Sequence, residues 1–184
     1  MKILLAITGA SGVIYGERVL RALSEMDDVR TELVISNSGK ELIDQELGTD
    51  RIDLESIADN TYEPNNMSAP PASGSSLYDA VVVVPCSMST LSKISTGIAD
   101  NLITRSASVA LKESKKLIIV PRETPLSSIS LKCMHDLSLA GAVILPASPG
   151  FYSGNDSLED LVNFIAGKIL DNLDLENQMY NRWE

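Results

Sequence analysis

The chain has 184 residues, 44% hydrophobic and 22% charged, which excludes wholesale disorder and leaves little room for a second full core. Its formal net charge of −10, from 15 Lys and Arg against 25 Asp and Glu, argues against nucleic acid or anionic membrane as the main partner. Two cysteines and one histidine make neither a disulfide framework nor a histidine-rich metal set, and no apolar run reaches the ~18–20 residues of a membrane span.

Residues 3–7 form an unbroken apolar run, too short for a signal peptide and suited to a strand buried on both faces. Cys86 and Cys133 are expected to be free thiols in a reducing, cytoplasmic compartment. Val19, Leu20 and Leu23 predict a helix over 13–26, followed by a strand over 31–35 and a helix near 39–47. Residues 51–58 are ambiguous, while 60–76, rich in Pro, Asn, Ser and Gly, read as a long loop. Four successive valines make 80–84 the strongest strand signal. Helices over 89–96 and 101–114, a strand over 117–120, a helix over 127–139 and a strand over 142–145 follow. The last helix, 158–173, carries the stripe Leu158, Leu161, Val162, Ile165, Ile169 and Leu173 behind a Ser157 N-cap. This alternation predicts an α/β fold: a single domain with an open parallel sheet and helices on both faces, Rossmann-like or flavodoxin-like.

Each expected strand ends in small, polar or Pro-containing residues: Thr8-Gly-Ala-Ser-Gly12, Ser36-Asn-Ser38, Pro85-Cys-Ser-Met-Ser-Thr90, Pro121-Arg-Glu-Thr-Pro125 and Pro146-Ala-Ser-Pro-Gly-Phe-Tyr152. In an open parallel sheet these ends share one edge, where ligands bind. The first run turns backbone N–H groups and a helix N-terminus toward a phosphate or a flavin ring edge. A short-chain dehydrogenase is disfavoured. Gly9, Gly12 and Gly16 are one residue off its pattern, no Tyr precedes a Lys by four, and no acid closes the second strand to hold a ribose. Cys86 reads as a buried small hydrophobe rather than a nucleophile, and His135 as a surface or packing residue. Arg122 between two prolines and Lys168 beside the last apolar stripe are the basic residues best placed for an anion. Lys112 and Arg105 alone read as helix-surface charges. Glu46 and Glu123 are acids near strand-end loops.

Read together with Gly97-Ile-Ala-Asp-Asn-Leu102, Ala110-Leu-Lys-Glu113, Val120-Pro-Arg-Glu-Thr-Pro125 and Pro149-Gly-Phe-Tyr152, these runs make the sequence resemble the UbiX and phenylacrylic acid decarboxylase family of flavin prenyltransferases. The resemblance covers nearly the whole chain. It implies transfer of a dimethylallyl group from dimethylallyl monophosphate to N5 and C6 of reduced FMN, without a metal. The prenylated FMN so made serves UbiD-type decarboxylases. By the same resemblance Gly9, Ala10, Ser11, Ser36, Ser87, Met88, Ser89, Thr90 and Arg122 match FMN-contacting positions. Lys112, Arg122, Tyr152, Lys168 and Trp183 match substrate-binding ones, and Ser11, Glu46 and Glu123 match catalytic ones. Position 168 is Lys where some relatives have Arg. The resemblance also implies a homo-oligomer, typically a dodecamer with sites between subunits. Residues 1–173 are expected to form the flavoprotein domain, and 174–184 a tail ordered by subunit or active-site contacts. Two alternatives remain: an FMN-dependent cysteine decarboxylase, which would want its own His and an Asn-Met loop, and a non-catalytic FMN carrier.

Overall fold

Residues 1–48, 51–152 and 157–183 are described by the computed structural model. In β1 (Lys2–Ile7) alternate side chains enter two different cores: Ile3, Leu5 and Ile7 face one, Leu4 and Ala6 the other. The same period of two divides β4 (Ala80–Cys86) and β5 (Lys116–Pro121), with Val82, Val84, Ile118 and Val120 on the first side. Helices α1 (Val13–Ser24) and α7 (Leu158–Asn172) close the first core. The second is closed by α4 (Met88–Ser95), α5 (Leu102–Lys112) and α6 (Ser128–Leu139). Strands buried on both faces therefore follow directly from runs with no polar alternation.

With β2 (Arg30–Ile35), β3 (Asn60–Tyr62) and β6 (Val143–Ile144), the strand pairings among the described residues are all parallel, in the order β3-β2-β1-β4-β5-β6. That is the Rossmann order rather than the flavodoxin one, and it puts the reversal of winding between β1 and β4. The carboxyl ends of those two strands flank a crevice. Residues 8–12 and 87–90 therefore meet, although some eighty positions separate them, as about 77 do between Thr8 and its partner Pro85.

Two expectations need correction, and one stretch left open is filled in. The stretch 60–76 is not wholly loop: Asn60–Tyr62 forms β3, beside β2 (Arg30–Ile35), and short 3-10 turns follow at Pro70–Ala72 and Gly74–Ser76. Polar contacts hold that edge strand, so hydropathy is silent about it. Tyr62 Oη donates to the buried Glu32 at 3.0 Å, and Asp59 accepts from Thr31 N at 2.7 Å. The ambiguous stretch contains α3 (Arg51–Ile57), with Leu54 buried. Leu158 is exposed in the first turn of α7, whose buried face is extended instead by Phe164 and Leu170. Among the described residues no helix is long and apolar enough to cross a membrane.

Candidate active site

Three helix N-termini open at the crevice. Ser36 caps α2 (Asn37–Glu46), its Oγ accepting from Gly39 N at 3.1 Å, and Ser87 caps α4, its Oγ accepting from Thr90 N at 3.3 Å. Helix α1 has no side-chain cap of its own, because Gly12 stands at its N-cap with φ 99. Glu46 fills the gap from the end of α2: its Oε2 accepts from Gly12 N at 2.8 Å and Val13 N at 3.2 Å. A carboxylate there meets both the unpaired N–H groups and the positive end of the helix.

The neighbouring loops are tied to this point. Arg122 Nε donates to the Ser11 carbonyl at 2.8 Å, joining the end of β5 to the β1 loop. Buried Thr8 joins β1 to β4, its hydroxyl donating to Pro85 O at 2.8 Å and accepting from Ser87 N at 2.8 Å. Gly9 is required by close approach, since a Cβ there would collide with Ser38 Cβ. Tyr15 flanks the site; burial pushes its phenol above the ordinary range, and the Arg122 guanidinium pulls partly the other way. Ala10 is buried, Met88 is half-buried at the edge of the second core, and Ser11 and Ser89 face solvent. Glu123 is exposed, and lines a groove with Arg122, Thr124, Leu126, Met134, Pro146, Ala147 and Ser148.

Tyr152, Lys168 and Trp183 form a second cluster. Beyond α7 the chain folds back along that helix, so that the Tyr180 ring lies 4.9 Å from Phe164 and Trp183 meets Tyr152 edge-on at 5.2 Å. Tyr152 in turn contacts Phe164 at 5.8 Å, and Lys168 Nζ stands 5.9 Å from the centre of Tyr180. Lys112 does not join either cluster within one chain. It ends α5 at the amino end of the sheet, ion-paired to Glu113, while Arg122 lies beyond the carboxyl end of β5. The six residues of β5 put about 17 Å of strand between those levels, far beyond the reach of a lysine. Arg105, on the same helix, donates from Nε to Ala72 O at 2.9 Å.

Sequence reasoning missed Thr8 and Tyr15 as parts of the site. Thr8 was visible in its loop, but the partner of its hydroxyl is remote in sequence. Cys86 is fully buried and burial pushes its thiol up, which suits a packed side chain rather than a nucleophile; His135 is exposed on α6. Among the described residues no group of three or more His, Cys, Asp or Glu could hold a metal ion.

Helix N-termini with Ser and Thr hydroxyls, a guanidinium and a glycine that lets backbone approach closely fit an anionic mononucleotide. The family model described as Flavoprotein matches residues 1–170, which makes the chain a flavoprotein. Flavin prenyltransferase UbiX of Methanocaldococcus jannaschii is 48% identical over 183 residues, covering 100% of this chain and 98% of that one. A dodecameric FMN-dependent UbiX-like decarboxylase from Escherichia coli O157:H7 superposes with a TM-score of 0.98 at 40% identity, covering 100% of both chains. The solved structure of AnUbiX (PadA1) in complex with FMN and dimethylallyl pyrophosphate gives 0.97 at 43%, covering 100% of this chain and 97% of that one. The chain belongs to the UbiX flavin prenyltransferases, and FMN is its flavin.

Proposed function

We propose that the crevice at the β1/β4 reversal binds reduced FMN and that the Tyr152–Lys168–Trp183 cluster presents the prenyl donor to it. The observation that carries the reading is the meeting of three helix N-termini, Arg122 and Glu46 at that point, in a chain 48% identical to an enzyme named for this reaction. Gly9, Ala10, Ser11, Ser36, Ser87, Met88, Ser89, Thr90 and Arg122 hold the flavin, the hydroxyls and N–H groups as donors and Met88 as an apolar wall. Reduced FMN supplies the nucleophilic ring positions, N5 and then C6.

The donor is dimethylallyl monophosphate. As its allylic C–O bond breaks, negative charge grows on the phosphate, and Lys112, Arg122, Lys168 and the Tyr152 hydroxyl stabilise it. The faces of Tyr152 and Trp183 suit the allylic cation left behind. Forming the second ring bond requires one proton added to the prenyl double bond, which breaks it and opens a carbon to C6, and loss of the C6 proton. Glu46, anchored on the α1 N-terminus beside Ser11, takes the proton that is lost, with Ser11 orienting the reacting groups and Glu123 as a further acid across the crevice. A second copy of the chain supplies Lys112, so the active form is a homo-oligomer, dodecameric like the Escherichia coli relative. The product passes to a UbiD-type decarboxylase. The buried free thiols of Cys86 and Cys133 suit a reducing compartment, and we place the reaction in the cytoplasm.

Two variants test the division of labour. Lys168→Ala should retain FMN affinity and lose prenyl transfer, whereas Arg122→Ala should weaken FMN itself. Wild-type turnover by Lys168→Ala would remove the phosphate-binding role.

A further inference from the structure

The segment after α7 is held against that helix by one side chain that the reaction itself does not use. Asp171, in the last turn of α7, is 18% exposed. Its Oδ1 accepts from Asn177 Nδ2 at 2.9 Å and from Arg182 Nη2 at 2.7 Å. Its Oδ2 accepts from Tyr180 Oη at 2.6 Å and from Arg182 Nη1 at 3.2 Å. Arg182 is therefore bidentate, and the acceptor positions of both oxygens are in use. Burial pushes the carboxyl up, but the bonds from Arg182, Tyr180 and Asn177 outweigh it and hold Asp171 below the usual carboxylate range.

The same group borders Lys168, whose Nζ is 3.8 Å from Asp171 Oδ2. Arg182 is much closer and answers most of the carboxylate's charge, which leaves the lysine's charge for an incoming phosphate. A glycine completes the fit. A Cβ on Gly167 would lie 2.5 Å from Tyr180 Cδ1, so the ring rests on α7 only because that position has no side chain.

We propose that Asp171 is a positioning residue: through Asn177, Tyr180 and Arg182 it folds 174–183 back along α7, sets Trp183 against Tyr152 and keeps Lys168 beside the same aromatic wall. The prenyl phosphate then meets a preset site instead of ordering a loose tail on arrival, a cost that would fall on donor affinity. The consequence for the donor rests on the functional reading above; the clasp itself does not.

The test uses the full-length enzyme in its native assembly, as wild type, Asp171→Asn and Gly167→Ala. The asparagine variant removes the charge. The alanine variant leaves every charge in place, strengthens the helix interior and pushes the Tyr180 ring away. Trypsin needs the Arg182 side chain free, so cleavage after Arg182, followed by intact mass as loss of the fragment carrying the chain's single Trp, reads the clasp without any turnover. Steady-state kinetics with dimethylallyl monophosphate at saturating reduced FMN reads its consequence. Both variants should be cleaved about tenfold faster and show a KM for the donor raised about tenfold, with kcat less affected and FMN affinity unchanged. Cleavage at the wild-type rate in both variants overturns the clasp. Faster cleavage with an unchanged KM overturns its positioning role. A wild-type enzyme that prenylates no flavin overturns the functional reading instead, and the trypsin rates then judge the clasp alone.

Discussion

Thr8 offers the sharpest test of how the crevice is built. Its hydroxyl is buried and makes two bonds, donating to Pro85 O and accepting from Ser87 N, both at 2.8 Å. Thr8→Val keeps the shape and deletes both. Pro85 O retains a partner, because Thr8 N also donates to it at 3.2 Å, but the N–H of half-buried Ser87 loses the hydroxyl it donates to. An orphaned buried donor costs about 1–3 kcal/mol. For a chain of this size about 2 kcal/mol lowers the melting temperature by about 4–8 °C. Ser87 also caps α4 at the crevice proposed to hold FMN, so FMN affinity should fall together with stability. Thr8→Ser is the control: it keeps the hydroxyl and loses one buried methyl, worth about 0.8 kcal/mol. The assay is thermal unfolding of the three proteins at one concentration, with FMN titrations by flavin fluorescence. If Thr8→Val melts with wild type, or above Thr8→Ser, the hydroxyl does not join the two loops.

A Cβ on Gly16 would stand 2.6 Å from Val84 O and 2.9 Å from Ile7 Cγ1, so Gly16→Ala should lose about 1–3 kcal/mol to overpacking, measured by urea unfolding, despite its better helix propensity. A gain in stability would show that α1 does not press on β1 and β4. If Lys112 acts on a neighbouring copy, co-expressed Lys112→Ala and Lys168→Ala subunits should regain prenyl transfer at about a quarter of their sites, although each variant alone is inactive. No recovery in the mixed assembly contradicts a shared site. Because the Asp171 carboxyl is held low in the folded chain, its contribution to tail docking is full above the ordinary carboxylate pKa and disappears as pH falls through the depressed value. Near-ultraviolet circular dichroism of the Trp183–Tyr152 pair should therefore persist through the range where exposed carboxylates protonate and fade only below it. Loss of the signal at higher pH would contradict the sign.

The doubly buried strands were legible because β1, β4 and β5 have no polar alternation to disguise them. Edge strand β3 was not, since a tyrosine–glutamate bond and an aspartate hold it rather than apolar area. The α/β class followed from alternation of elements, but the choice of Rossmann strand order did not. Order depends on which way each crossover turns, and hydropathy carries no trace of that. At the site, Gly9, Ser36, Ser87 and Arg122 stood out because each closes a strand. Asp171 looked like any polar residue at the end of a helix; its importance comes from Asn177, Tyr180 and Arg182 folding back onto it. Lys112 was expected beside Lys168 and Arg122, and in one chain its helix packs on the opposite face of the sheet from α7 and it lies at the opposite end from Arg122. A sequence pattern assigns such a residue to a site without saying which copy carries it there.

The measurement that tests the account most directly is the mass of the flavin after reaction. The protein is mixed anaerobically with chemically reduced FMN and dimethylallyl monophosphate, the protein is denatured, and the released flavin is weighed by mass spectrometry. A flavin heavier by one prenyl unit is expected, absent without protein and absent with Lys168→Ala. Unmodified FMN, bound tightly by the wild-type chain and unchanged with a diphosphate donor as well, would contradict prenyl transfer and leave a flavin carrier in its place.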